Sequence, residues 1–484
     1  MIIDVNDDFS RTLFSPSCVE HVVSLDQYFG PPEMHQTKEF SAPIILVPNT
    51  LFCCGKAITI DSRAAEITIY TDGGVRKAKS FHGCCKKCSK TYYSGFMHDK
   101  KSNVRTFMED GDFFIYGSGV GFSADFLRKT VYQIYIGAVS FESSAEIYNS
   151  VHGILASKEA MNSDRLETGL FLYQITRYVK DLQWHRDIKN KNVDVERIAE
   201  EQYPVMCDMI DQKWLAHTCE EIGCKNRFVV LDGYVKLFRL KCDEEGCINN
   251  PIRGNQFKSA STKCDSHDTK QSSKVKKAKY GNDRLELRPV TRSMILDDVL
   301  TSGEGCKEAE KITKFHDRSA GMIYLFRPCG IRLTHCEMLS HESLTQIYKS
   351  LVHCFGEQPA RDLIQGIVYD RSCDLKPFLD RLGRNGDKVA QFYADLQFIV
   401  DIFHVEKHTL PKCTLGSPEC TFHPHLPEFQ YVRGMNTEVA EQSFHQLNKH
   451  KFSTRKMCYA KRLFHLKFVD DVLNENWVIK HAQA

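Results

Sequence analysis

Leu363-Ile364-Gln365-Gly366-Ile367-Val368-Tyr369-Asp370 is a largely apolar run closed by a single acid. A run this short and this apolar fits a strand buried on both faces. Arg227-Phe228-Val229-Val230-Leu231-Asp232 has the same design. Working outward, 229–231 and 235–240 read as strand-like runs flanking Asp232-Gly233-Tyr234, which has hairpin chemistry. The pattern then predicts a strand over 322–327, a helix over 343–355, the strand 363–369, and a helix over 375–396 broken near 383–386. A strand over 398–403 and a largely helical 437–476 follow. Hairpin, strand, helix, strand, helix, strand, helix is the order of a ribonuclease H-like core. The expected class is therefore α/β, a mixed sheet with flanking helices.

Strand ends are where side chains converge at the edge of a sheet, and both apolar runs put an aspartate there. A third acidic element lies downstream in Asn436-Thr437-Glu438-Val439-Ala440-Glu441-Gln442-Ser443-Phe444. Glu438 and Glu441 are spaced i,i+3 at the start of a helix and share a face. Two strand-end aspartates and a helix glutamate are the parts needed to hold a pair of Mg²⁺ (or Mn²⁺) ions for phosphodiester chemistry. The ordinary alternatives are a turn residue for each aspartate and dipole complementation for the glutamates, with Asn436 or Thr437 as the cap.

The chain has 484 residues, enough for several domains with ample cores. Its net charge of +2 means that any affinity for nucleic acid must come from local basic patches. One such patch follows the acidic helix: Lys449, Lys451, Arg455, Lys456, Lys461, Arg462 and Lys467, interleaved with Phe452, Tyr459 and Phe464. It reads either as a DNA phosphate track or as a solvated helix face with aromatics turned inward. Lysines between 270 and 279 lie in a polar stretch, 258–285, that reads as an insertion. No apolar run approaches the length of a membrane-spanning helix. The acidic N-terminus lacks a secretory pattern, so the expected compartment is cytosol or nucleus.

Twenty cysteines in such a chain suggest reduced thiols and zinc rather than disulfides. Cys242, Cys247, Cys264 and His267 have the spacing of a four-ligand zinc site. His217, Cys219 and Cys224 begin a second, with Cys207 one candidate for the remaining ligand. In the N-terminal part, short strands are expected over 43–47, 66–70, 75–81 and 113–116. There Cys85 and Cys88, with His82 and Cys84 close by, read as one knuckle of a zinc ribbon, and Cys53-Cys54 as the other. Adjacent cysteines do not easily bind one ion together, so either one of them, taken as Cys54, ligates or the arrangement is distorted. His404, His408, Cys413, Cys420, His423 and His425 form a further cluster, read as a metal site on His404, His408 and Cys413 or as ordinary loop residues.

Tyr369-Asp370-Arg371-Ser372-Cys373 resembles the Tyr-Asp-Ile-x-Cys segment of the KDZ (Kyakuja–Dileera–Zisupton) transposases. Residues 436–444 look like that family's Gly-Glu-x-x-Glu-Arg-x-Trp segment, and Phe403-His404 with His408 and Cys413 is similar to its Phe-His…His…Cys element. Residues 232–237 resemble its first-aspartate strand, and Arg327-Pro328-Cys329-Gly330-Ile331 and Glu342-Ser343 also fit. The likeness runs from about 205 to 475, and 42–120 resemble the cysteine-cluster domain that often precedes such cores. The resemblance implies Asp232, Asp370 and Glu441 as a catalytic triad with Glu438 beside it, Mg²⁺ or Mn²⁺ as catalytic ions, structural Zn²⁺, and DNA (element ends and target) as partner. It implies strand cleavage and transfer in the nucleus and leaves homo-oligomerisation open. Gln442 stands where the family has Arg and Phe444 where it has Trp. The alternative is thus a domesticated or inactive descendant that binds DNA or proteins through zinc. The expected organisation is an N-terminal segment (1–41), a zinc-ribbon-like domain (42–121), a helical segment (122–204) and a core (205–484) carrying a cysteine-cluster insertion at 242–285.

Overall fold

The computed structural model describes residues 44–240 and 318–482, apart from 109–110, 118, 181, 186–194, 339–341, 358–361, 406–407, 409–413, 418–420 and 456. The chain divides into two units, Met1–Ile198 and Ala199–Ala484.

In the first unit, β1 (Ile44–Leu46) precedes the small hairpin β2 (Phe52–Cys53) and β3 (Lys56–Ala57), then β4 (Thr59–Ile60). The seven-residue strands β5 (Ala65–Thr71) and β6 (Gly74–Ser80) pair antiparallel around Asp72-Gly73, which lies between the strands expected over 66–70 and 75–81. β7 (Gly83–Cys84), β8 (Lys90–Tyr92), β9 (Phe96–Asp99), β10 (Val104–Phe107), β11 (Phe113–Ile115) and β12 (Val120–Ser123) follow. Three helices come next, α1 (Ala124–Tyr135), α2 (Phe141–Val151) and α3 (Ser163–Thr176), then β13 (Gln183–His185).

One sheet has the order β1-β6-β5-β12-β11 and the other β13-β10-β9-β8-β7-β4. The second is antiparallel throughout. Helix α1 starts where Ser123, the last residue of β12, accepts a bond from the Phe126 N–H. Its buried Leu127, Val131 and Ile134 recur at helical spacing, and α1 and α3 pack on β12. Gly169 permits that approach, since a Cβ there would stand 2.4 Å from the Phe122 ring.

The division falls within α4 (Val195–Leu215), and the single turn α5 (Ile222–Lys225) follows in the second unit. Its strands are β14 (Phe228–Tyr234), β15 (Gly321–Phe326), β16 (Arg332–Met338), β17 (Gly366–Tyr369) and β18 (Gln397–Ile399). Between them come α6 (Leu344–Phe355), α7 (Ser372–Arg384) and α8 (Lys388–Ala394), and after them α9 (Ile402–Val405), α10 (Val439–Leu447), α11 (Lys451–Thr454) and α12 (Tyr459–Ala482). The sheet order is β16-β15-β14-β17-β18. β16, β15 and β14 are antiparallel neighbours, while β14, β17 and β18 run parallel.

Helices cover this sheet: α6 and α12 pack on β16, α10 on β14 and β15, and α7 on β17 and β18. This explains why β15 and β17 are buried at every position. The buried Arg327 ties strand starts together, donating to the carbonyls of Leu215, Phe228 and Leu363. The break between α7 and α8 comes where Gly386 takes φ +98° and Asp387 caps the Ala390 N–H.

Two expectations are corrected. Asp232-Gly233-Tyr234 is no turn: it continues β14, whose Asp232 pairs with Tyr324 of β15 rather than with 235–240. The apolar stretch 398–403 is not strand throughout; β18 ends at Ile399, and Asp401 turns the chain into α9 by accepting the Phe403 N–H. The expected zinc ligands Cys242, Cys247, Cys264 and His267, with the lysines of 270–279, lie outside the described residues.

Candidate active site and metal centres

In the sheet of the second unit, acids come together because the parallel pairing of three apolar strands stops in step. Leu231 is in register with Tyr369, and Val368 with Ile399. Asp232 and Asp370 thus each follow directly on a paired position of adjacent strands. Asp401 follows β18 by two residues, as Asp370 follows Val368.

Asp232 is strongly perturbed. Burial holds its carboxyl well above the usual carboxylate range, and the negative charges of Glu342, Asp370 and Glu441 push it further. The Gly233 N–H, donating to Asp232 Oδ1 at 2.7 Å, works the other way. Glu342, immediately before α6, is held by the Tyr369 hydroxyl, which donates to its Oε1 at 2.7 Å. Gly233 leaves room for this carboxylate, since a Cβ there would lie 2.1 Å from Glu342 Oε2 and the flexible side chain would have to move aside. Glu342 was quoted above only as part of a resemblance; it is the acid whose charge weighs most on Asp232.

Glu441 lies in the first turn of α10, and Glu438 is the residue at the helix's N-cap. Asn436 accepts the Glu438 N–H, and the Thr437 hydroxyl accepts the Ile402 N–H, fastening this helix start to α9. Burial raises the Glu441 carboxyl, with Asp401 and Glu438 adding to the effect. Asp401, His404 and Glu441 offer ligand atoms within 4.8 Å of one another. His404 Nδ1 stands 3.0 Å from Asp401 Oδ2 and 3.6 Å from Glu441 Oε1. Glu441 Oε2 is buried with no hydrogen-bond partner among the described residues. Asp401 was missed as an acid of this site, although Phe398-Ile399-Val400-Asp401 repeats the design of the two quoted runs.

Gln442 and Phe444 are both accommodated. Gln442 Oε1 accepts from Asn436 at 3.0 Å, and the Phe444 ring stacks on Tyr234 at 4.4 Å between centroids. His408 does not join His404: it faces Cys373, 3.8 Å away. Cys413 and Cys420 lie outside the described residues, and the His423 and His425 rings pack on each other.

In the first unit, Cys53, Cys54, Cys85 and Cys88 hold their sulfurs within 4.8 Å of one another. Cys53 Sγ lies 3.5 Å from Cys88 Sγ and 3.6 Å from Cys54 Sγ. A tetrahedral zinc sets thiolates about 3.8 Å apart, so the donor set suits Zn²⁺. Both adjacent cysteines belong to the group, which is the second of the two expected alternatives. The β2–β3 turn makes this feasible by placing Cys54 at φ +51° and Gly55 at +76°, folding the two thiols to one side. Hydrogen bonds from the Cys88 backbone draw the Cys85 thiol down to about 6. Cys84 turns away to Thr91, and His82 pairs with Asp61.

His217, Cys219, Cys224 and Cys329 form another such group. The fourth member is Cys329, in the turn between β15 and β16. Cys207, the candidate from sequence, faces Asp211 instead, in a group with His353.

The basic stretch is divided by burial. Lys449 and Arg455 are exposed, Lys451 is half-buried with its ammonium over the exposed Phe452 ring, and Lys456 lies outside the described residues. Arg462 and Lys467 are not surface groups: they are buried against Glu337 and Asp211. Helical periodicity cannot separate a charged face that pairs internally from one that meets solvent.

Residues 42–152 match the family model of a CxC5 like cysteine cluster associated with KDZ transposases. The match bears out the family resemblance for that segment and carries it past the expected boundary at 121, through α1 and α2. Neither the curated proteins nor the solved structures contain a match to the chain. No described helix is long and apolar enough to cross a membrane.

Proposed function

We propose that the second unit is a ribonuclease H-like transposase core that cuts and joins DNA strands in the nucleus, with Asp232, Asp370 and Glu441 as its acidic triad. The observation that carries this is the pairing of β14 with β17, which sets Asp232 and Asp370 side by side within electrostatic reach of Glu441. The sheet order, with three antiparallel strands and then two parallel ones, supports the fold, and the cysteine-cluster match supports a transposase-related role with DNA as partner.

The residues fit a hard divalent cation. Its preferred donors are carboxylate oxygens. Glu441 has a buried oxygen with no hydrogen-bond partner among the described residues, and the acids around Asp232 repel one another until a positive charge joins them. Bound Mg²⁺ or Mn²⁺ would supply activation of the attacking hydroxyl and neutralisation of the leaving oxygen. Asp232 and Asp370 offer oxygens from the rigid sheet, and Glu441 from the start of α10. Glu438 adds negative charge beside Glu441, and His404 orients Asp401 and Glu441. Glu342 is fixed by Tyr369 and adds negative charge that acts on Asp232. Lys449, Lys451 and Arg455 follow α10 and would meet DNA phosphates rather than bases.

The test is nicking of plasmid DNA with Mg²⁺ or Mn²⁺. Asp370→Asn should lower the rate by roughly 10²–10³-fold while salt-sensitive DNA binding is retained. DNA binding without nicking by the wild type, under either metal, would favour a non-cutting descendant.

A further inference from the structure

We propose that His217, Cys219, Cys224 and Cys329 hold one structural Zn²⁺, and that this ion acts as a clasp positioning the elements that carry Asp232 and Glu441. The four donors come from two places far apart in sequence, the loop around α5 and the β15–β16 turn. Their chemistry, three thiols and an imidazole, is that of a closed zinc site. The spacing agrees: Zn–S near 2.3 Å and Zn–N near 2.0 Å put such ligands about 3.5 Å apart, and Cys329 Sγ lies 3.5 Å from His217 Nε2.

The surroundings show what the clasp would fix. Only three residues separate Cys224 from the first residue of β14, the strand of Asp232. Glu221, between Cys219 and Cys224, accepts the Cys224 N–H at 2.8 Å with one oxygen and faces the Asn436 N–H at 3.4 Å with the other. Gly223 is wedged between Pro328 and Met435, where a Cβ would lie 2.5 Å and 2.6 Å from their side chains. The His217 ring meets the edge of Trp477, and Gly330, beside Cys329, lies against Trp477 and Val439. The loop, the hairpin turn and the chain entering α10 are therefore one packed cluster, and the four metal donors sit within it. Residues next to metal ligands commonly tune a site by orientation alone; here the metal centre itself would be the orienting part.

The metal assignment stands independently; the positioning role rests on the strand-cleavage reading. The test uses the full chain, purified without chelator. Zinc should fall by one equivalent in Cys329→Ser and by one in Cys85→Ser, with the two losses additive in the double variant, while Cys207→Ser keeps the wild-type content. His217→Cys should also keep it and, after cobalt substitution, gain intensity in the thiolate-to-cobalt band. Mn²⁺ affinity should fall about tenfold or more in Cys329→Ser and recover in His217→Cys. Wild-type zinc content in Cys329→Ser overturns the site. If that variant does not fold, an unchanged cobalt spectrum in His217→Cys overturns it instead. Lost zinc with unchanged Mn²⁺ affinity overturns the positioning role. A wild type that binds no Mn²⁺ breaks the strand-cleavage reading, while the zinc count still decides the clasp.

Discussion

Two groups of acids lie in the second unit, one buried and one half-buried, and their neighbours treat them in opposite ways. Along α12, Asp211 is met by Lys467, Glu337 by Arg239 and Arg462, Asp470 by His335, and Asp471 by Lys213 and the Trp214 indole. At the strand ends, the charges acting on Asp232 are those of Glu342, Asp370 and Glu441. The first group is balanced within the chain. A buried ion pair of that kind is neutral or weakly favourable while intact and costly when half is removed. The second group concentrates like charge where a strand edge already disfavours ionisation, which is the pattern of a site whose counter-charge arrives from outside the chain.

The largest expected effect lies on the balanced side. Lys467→Met leaves Asp211 buried without its ammonium and should cost about 3–5 kcal/mol in urea unfolding. The double variant Asp211→Leu/Lys467→Met should recover most of that loss. A single variant as stable as the wild type would remove the contrast between the two groups.

Asp232→Asn should act with opposite sign and smaller size, stabilising the protein when no Mg²⁺ is added. The Asp232 carboxyl is raised in the folded chain, by burial first and then by the neighbouring acids. Its contribution to stability is thus complete below the ordinary carboxylate range, near 4, and is lost as pH climbs through the raised value. Urea midpoints at pH 5 and pH 7.5 should therefore diverge more in the wild type than in Asp232→Asn. Added Mg²⁺ should narrow the wild-type difference. Equal pH slopes in the two proteins would mean that Asp232 carries no such burden.

The same contrast explains what the sequence disclosed. Asp232 and Asp370 were legible because each closes a buried run, and period and burial agree there. Asp401 carries the same signal but was absorbed into a strand that ends two residues earlier. Glu342 has no local signature, since only the approach of α6 to Gly233 and Tyr369 makes it an acid of the site. Cys329 was noticed only within the family-like segment 327–331; its partners lie more than 100 positions away, and pairing at that range is a property of the sheet. Arg462 and Lys467 misled because α12 is buried all round from 462 to 474, charged positions included.

The most direct test of the account is a calorimetric titration of the zinc-loaded chain with Mn²⁺ at neutral pH. The account predicts that the wild type and the Asp211→Leu/Lys467→Met variant bind, and that Asp232→Asn, Asp370→Asn and Glu441→Gln each lose most of that binding while staying folded. Equal binding by all five proteins, or none by the wild type, would contradict it.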